Sequence, residues 1–253
     1  MALKKRDVTV VIPTLNEESA IGRVIDELGE EGYGKILVVD GHSEDRTVEI
    51  AKDRKAEVIY QRYGGKTGAI RTAIEHVTTP FLLVMDGDWT YPAGGISKLM
   101  EETEDHDHVI GRREDSENIP LLHRLGNWGI TLVFNILMET KLNDILSGMY
   151  LLKTERAAEL EFPFHGFECE ATICAQLHEE TGEIPIRYRE RIGRRKLSGI
   201  FGLAEILFAT ILLSKRYGEP SIPRLLASIL LSVLGTGSAV FLTAPGNLAS
   251  RVG

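Results

Sequence analysis

The chain has 253 residues, 43% of them apolar and 26% charged, ordinary values for a globular protein with material for one α/β domain and an appendage. Its formal charge of −8 argues against a general nucleic-acid binder, which needs an excess of Lys and Arg to neutralise phosphates. The two cysteines, Cys169 and Cys174, lie in a helical-looking stretch. With no second pair they imply neither a zinc site nor a disulfide framework, and reduced core cysteines are expected. No apolar stretch precedes Asp7, so no cleavable signal peptide is expected.

Residues 8–12 form a compact β-branched run ending at Pro13, a predicted first strand. Asn16 is a candidate N-cap for a helix whose Ile21, Val24, Ile25 and Leu28 keep helical spacing, with Gly29 and Gly32 ending it. Residues 35–40 read as a second strand finishing in the carboxylate of Asp40. A helix over 46–54, a third strand over 56–60 and a helix over 69–77 follow. Residues 81–84 are four consecutive apolar residues, a buried fourth strand running straight into Asp86-Gly87-Asp88. A helix over 96–103 and a short strand over 108–111 continue the alternation, which is that of βαβ units and a mainly parallel α/β sheet. The second half is less regular: a long apolar helix over 121–139, a turn at 144–148, a strand over 149–152, a helix over 166–180 and a strand-like stretch over 184–189.

Ligands of open α/β sheets bind beyond the carboxyl ends of the strands, and three such ends carry candidate groups: Pro13 through Glu17, Asp40, and Asp86 with Asp88. The last two suit Mg²⁺ or Mn²⁺, hard cations that usually also carry substrate phosphates. If the chain stays extended through Gly87, both carboxylates fall on one side; the competing reading is a strand followed by a turn. Glu17 and Asp40 can accept hydrogen bonds from a base or ribose, against readings as a solvated first-turn acid and a helix-capping acid.

The stretches Val-Val-Ile-Pro-Thr-Leu-Asn-Glu-Glu (10–18), Leu-Val-Val-Asp-Gly-His-Ser-Glu-Asp-Arg-Thr (37–47), Val-Met-Asp-Gly-Asp (84–88) and Leu-Ser-Gly-Met-Tyr (146–150) resemble the inverting family 2 glycosyltransferases of the GT-A fold, nearest the polyprenyl (dolichyl) phosphate sugar synthases. The likeness covers roughly residues 7 to 200. It implies a nucleotide-sugar donor held by Pro13, Leu15, Glu17, Val38, Asp40, Asp86 and Gly87, and a divalent metal at Asp88. Thr90 stands where that branch often has Gln, which implies a metal shell completed by water. Lys66, in a Gly-rich turn before a helix, is expected near the donor phosphates, a solvent-facing loop lysine being the alternative. Arg113 and Arg124 align with arginines of the family and are expected to grip phosphate oxygens. Asp144 matches a family turn and is expected either to orient an active-site arginine or to cap. Arg191 and Lys196 belong to a basic cluster over 187–196 that suits donor diphosphate, acceptor phosphate or anionic lipid alike.

Residues 225–244 are twenty without a charge, which at 1.5 Å per residue span about 30 Å, the thickness of a bilayer core. Residues 200–214 are too short to span and carry Glu205, with basic residues at both ends, and read as an interfacial helix. The expected division is a catalytic domain over 1–196, an interfacial helix over 197–216 and a membrane anchor with a short tail over 217–253, the catalytic domain on the cytoplasmic face. The expected function is transfer of a hexose from GDP-mannose or a UDP-hexose to polyprenyl phosphate with inversion, with membrane lipids as further partners. The alternatives are a family 2 transferase elongating a lipid-linked or protein glycan, and a non-catalytic nucleotide-binding scaffold.

Overall fold

The computed structural model describes residues 3–114, 118–164, 166, 168–193 and 199–218. Seven strands are found there: β1 (Val8–Thr14), β2 (Ile36–Asp40), β3 (Glu57–Tyr60), β4 (Phe81–Val84), β5 (His108–Arg113), β6 (Tyr150–Lys153) and β7 (Thr181–Ile186). They form one sheet in the order β3-β2-β1-β4-β6-β5-β7. Pairings β1/β2, β2/β3, β1/β4 and β5/β7 are parallel, and β6 alone is antiparallel to both neighbours, β4 and β5. Reversal at β6 leaves β5 and β7 running the same way as β4. The carboxyl ends of β1, β2, β4, β5 and β7 therefore share one edge, and the turn entering β6 arrives there too.

Alternation along β1 divides the core. Val8, Val10 and Ile12 face one layer with α1 (Ile21–Glu30) and α4 (Ile96–Glu101). Val11 faces the other, with α3 (Gly65–Ile74), α6 (Thr154–Ala158) and α7 (Cys169–Gln176), as period two requires. The remaining helices are α2 (Thr47–Asp53), α5 (Leu121–Met138) and α8 (Gly199–Tyr217). A third apolar cluster joins Ile130 and Phe134 of α5, Ala171 and Cys174 of α7, and Ile206 and Leu213 of α8. The helix expected at the membrane interface thus has one face in the protein core, while Glu205 and Phe208 are exposed. No helix among the described residues is long and apolar enough to cross a membrane; the expected span at 225–244 lies outside them. Cys169 and Cys174 are free and buried.

Asn16 does not cap a helix. It takes a left-handed φ of 52°, receives a hydrogen bond from Glu44 N at its Oδ1 (2.8 Å) and donates its own N–H to Ser43 Oγ (2.8 Å). The helix starts later, at Ile21, because this loop is clipped to the one after β2.

His108 on β5 is buried, with Nδ1 3.0 Å from Thr181 Oγ1 and its ring edge-on to Tyr150. Burial pulls its pKa from 6.5 down to about 3. Folding keeps the imidazole neutral while the unfolded chain protonates normally. Stability is therefore expected to be complete above about pH 6.5 and to fall steadily as the pH drops toward 3. His108→Gln should flatten part of that acid limb, read as the urea midpoint against pH. An identical limb in the variant would refute this role.

Candidate active site

A cavity of about 520 Å³ opens at the carboxyl edge, with walls that include Pro13, Leu15 and Glu17 beyond β1, Lys66 on α3, Asp86, Gly87 and Asp88 beyond β4, Arg113 at the end of β5, and Arg191 beyond β7. This volume is in the range of small-molecule and cofactor sites. Five strand or helix ends thus deliver the sequence candidates to one place, because parallel strands terminate their charged ends together.

The two carboxylates after β4 have different cationic partners. Asp86 Oδ1 accepts from Lys66 Nζ at 2.7 Å, and the same ammonium lies 2.6 Å from Glu170 Oε1 on α7. Burial pulls the lysine's pKa down, but Asp86 and Glu170 more than offset this and hold it well above the usual lysine value. Lys66 lies in the first turn of α3, which begins four residues before the predicted start, so it is a helix residue aimed at buried acids and not a solvent-facing loop lysine. The turn entering β6 closes against the same carboxylate: a Cβ on Gly148 would lie 2.1 Å from Asp86 Oδ2 and would push that carboxylate aside. Tyr91 Oη holds that turn by accepting from Gly148 N at 2.7 Å, and Ser147 Oγ donates to Gly111 O at 2.5 Å.

Asp88 faces the other way. Its Oδ1 accepts from Thr90 Oγ1 (2.5 Å) and Thr90 N (3.1 Å), so Thr90, the residue in the place of a stronger ligand, orients the carboxylate. Trp89 between them takes a left-handed φ of 72°, which turns the chain sharply and keeps Asp88 from following the strand direction. Asp88 Oδ2 accepts from Arg191 Nη1 at 2.7 Å, and the second arm of that guanidinium donates to Glu17 Oε1 at 2.8 Å. Burial, and then the charge of Asp86, push the Asp88 carboxyl above its ordinary value; Arg191 and Thr90 pull it back. The arginine is carried by a segment tied to the Asp88 loop through Arg189 N to Thr90 O (2.8 Å) and Ile192 N to Asp88 O (3.0 Å).

These groups can be tested against the expected metal. With Oδ1 accepting from Thr90, Asp88 would hold a divalent ion through Oδ2, which already faces a cationic partner, and Asp86 would be the neighbouring acid. Among the described residues no group of three or more His, Cys, Asp or Glu side chains surrounds a common ion position. The donor set fits an ion brought in with a diphosphate, as Mg²⁺ is commonly bound, and not a dedicated protein cage.

Arg113 is gripped by Asp144, donating from Nε at 2.7 Å and Nη2 at 2.5 Å, so of the two expected roles for Asp144 the structure has the arginine-orienting one. Arg113 also lies over the Tyr188 ring at 5.6 Å. Among the described residues, three of the expected ones are not on the cavity wall. Val38 is fully buried mid-strand in the core. Asp40 is fully buried and accepts from Ser43 N (2.8 Å), Ser43 Oγ (2.6 Å) and Thr14 Oγ1 (3.1 Å), shaping the Gly41 turn that lines the cavity. Arg124 is exposed on α5; one residue along the helix turns it about 100° away from His123, and His123 and Asn127 line the cavity instead. Lys196 lies outside the described residues. Sequence reading missed Gln61, Glu170, Tyr188 and the apolar wall of Ile119, Leu146 and Ile206. Glu170 had one visible signal, a lone acid amid the small and apolar residues of α7.

Glucosyl-3-phosphoglycerate synthase from Mycobacterium tuberculosis, crystallised with Mn²⁺, UDP and glucosyl-3-phosphoglycerate, superposes with a TM-score of 0.66 at 21% identity, over 85% of this chain and 81% of that one. This likeness bears on the fold, which is the GT-A type of α/β glycosyltransferase. Residues 9–147, more than half of the chain, match glycosyl transferase family 2, and the chain belongs to that family. Two relatives from Haloferax volcanii stand near it. Glycosyltransferase AglJ is 36% identical over 192 residues, 73% of this chain and 63% of its own length. A dolichyl-phosphate hexose transferase is 34% identical over 207 residues, 79% of this chain and 90% of its own length. The chain thus resembles polyprenyl-phosphate sugar synthases, and it spans under two thirds of AglJ.

Proposed function

We propose that the protein transfers a hexose from a nucleoside-diphosphate sugar to a polyprenyl phosphate with inversion, using Mg²⁺ or Mn²⁺ at Asp88 with Asp86 beside it. The observation that carries this reading is the cavity itself, which joins a charged wall of Asp86, Asp88, Lys66, Arg113 and Arg191 to an apolar one of Ile119, Leu146 and Ile206. A substrate pair that is polyanionic at the reacting end and hydrocarbon behind it suits both walls, and the named activity of the H. volcanii hexose transferase agrees.

The metal would supply charge neutralisation for the departing diphosphate. The chain's own residues do the rest. Asp88, fixed by Thr90, presents one oxygen toward the donor. Arg113, locked by Asp144, presents a planar guanidinium on the cavity wall, suited to contact with a phosphate. A phosphate acceptor is already an anionic nucleophile at neutral pH, so alignment and charge complementarity suffice without a base. Glu17, Asp86 and Gly87 shape the donor side, and Lys196 and Arg124 are proposed to assist the phosphates from its rim.

The membrane partner is supported by α5. Leu121, Leu125, Trp128, Leu132 and Ile136 repeat at helical spacing and are all largely exposed, an apolar stripe unusual on a free soluble surface. It suits the headgroup boundary of a bilayer beside α8, with residues 225–244 as the anchor and the catalytic domain on the cytoplasmic face.

A second reading is favoured by Glu170, a buried carboxylate on the cavity wall that could serve as base for a hydroxyl acceptor of a lipid-linked or protein glycan. Purified protein in detergent, given a panel of nucleotide sugars with Mn²⁺ and either polyprenyl phosphate or a glycan acceptor, separates the readings. Sugar on the lipid phosphate that persists in Glu170→Gln supports the first. Transfer to the glycan alone, lost in Glu170→Gln, supports the second, and nucleotide binding without turnover on any acceptor overturns both.

A further inference from the structure

Arg191 spans two acids that are almost wholly buried, Asp88 at 3% and Glu17 at 4% exposure, with one guanidinium arm on each at 2.7 and 2.8 Å. Buried carboxylates need a compensating cation or a proton, and Asp88 also has Asp86 two residues away, so an ionised Asp88 favours a cation beside it. In this arrangement Arg191 is that cation. Yet the arrangement leaves the buried Nε of Arg191 without a hydrogen-bond partner, so the guanidinium has donor capacity that two carboxylates at this angle do not use. A diphosphate offers that capacity many oxygens, since planar guanidinium recognises phosphate as well as carboxylate. The backbone around Arg191 is pinned at Arg189 and Ile192, so the shift is one of side-chain rotation on a fixed support.

We propose that Arg191 holds the cation position at Asp88 before substrate arrives, and that it transfers to the donor diphosphate when the divalent ion takes its place. The inference rests on the metal reading given above. It makes a thermodynamic statement: metal alone must displace a bound guanidinium and binds weakly, whereas metal arriving with a diphosphate gives that guanidinium a new partner and binds cooperatively. Such coupling is reciprocal, so Mn²⁺ must raise nucleoside-diphosphate affinity by the same factor.

The test is a Mn²⁺ titration followed by electron paramagnetic resonance of the free ion, with and without UDP or GDP, on the wild type, Arg191→Gln and Asp88→Asn. Without nucleotide, Arg191→Gln is expected to bind Mn²⁺ at least about tenfold more tightly than the wild type. The cooperativity between Mn²⁺ and nucleotide, large in the wild type, should shrink in the variant. If Arg191→Gln is poorly folded, Arg191→Lys keeps a charge without the fork and should fall between the two. Mn²⁺ should also raise the melting temperature of Arg191→Gln more than that of the wild type. Equal or weaker Mn²⁺ binding by Arg191→Gln, with binding abolished in Asp88→Asn, would overturn the placeholder role and leave the metal site standing. Absence of Mn²⁺ binding in every protein, nucleotide present or not, would overturn both.

Discussion

Asp88→Asn is expected to lower kcat for sugar transfer by about a thousandfold or more, equivalent to roughly 4 kcal/mol of transition-state stabilisation. The substitution keeps the shape of the side chain and can keep the hydrogen bonds from Thr90 at Oδ1. What it removes is the single negative oxygen that faces Arg191 at 2.7 Å and, in the proposed mechanism, the donor's divalent ion. The fold should survive, because Arg191 retains Glu17 as a partner at 2.8 Å. Initial rates with and without a chelator provide the check: the wild type should lose activity to the chelator, and the variant should have little left to lose. Wild-type rates in Asp88→Asn, or a wild type indifferent to the chelator, would remove the metal from the mechanism.

The second large effect is on stability. Lys66→Met is expected to destabilise the protein by about 3–5 kcal/mol, the usual cost of removing one partner from a buried ion pair. Its ammonium lies 2.7 Å from Asp86 and 2.6 Å from Glu170, and the lysine and Glu170 are both well shielded. Removing it leaves two acids facing each other across the vacated space, and neither can be solvated fully. Like charges held together without their cation repel, so the loss should be larger at about pH 8 than at about pH 5. Guanidinium denaturation at those two pH values reads this directly. A Lys66→Met/Glu170→Gln double variant should recover part of the loss, since one of the two charges is gone. A loss independent of pH, with no recovery in the double variant, would show that Lys66 acts by packing alone.

The first half of the site was legible because its chemistry sits at the ends of short apolar runs. Residues 81–84 could only be a buried strand, and the acids that follow it had to emerge at the sheet edge. Asp86, Asp88, Glu17 and Pro13 were found this way. Arg113 and Arg191 were found through family motifs, and both line the cavity. Asp40, both a strand-end candidate and a motif residue, and Val38, a motif residue alone, show the limits of both methods. A motif reports which residues a family keeps, and Asp40 here serves the loop geometry through Ser43 and Thr14.

Helices hid more. Periodicity identifies an apolar face only where polar residues contrast with it, and α7 is buried nearly all round, so periodicity did not mark the face of Glu170, whose one signal was being a lone acid. Along α5 the same difficulty exchanged Arg124 for His123 and Asn127, since the choice is a rotation of about 100° per residue and the helix is apolar on more than one side. The third cluster, with α5, α7 and α8 in contact, could not be read from any of the three alone.

By itself the sequence determined the alternation of strands and helices, the parallel sheet, the family, and the edge at which the acids emerge. All of these follow from local patterns of burial and from the direction in which the chain leaves each strand. Only the tertiary structure decided how those acids are used. A strand's period-two pattern carries no direction, so the reversal of β6, which seats Gly148 on Asp86, had no signature in it. The division of the two carboxylates between Lys66 and Arg191 was likewise open: the first partner is 20 residues away and the second 103. Which cation reaches which acid depends on where separate segments meet in space. The Asp86-Gly87-Asp88 stretch carries two neighbouring carboxylates, one held by Lys66 and the other by Arg191.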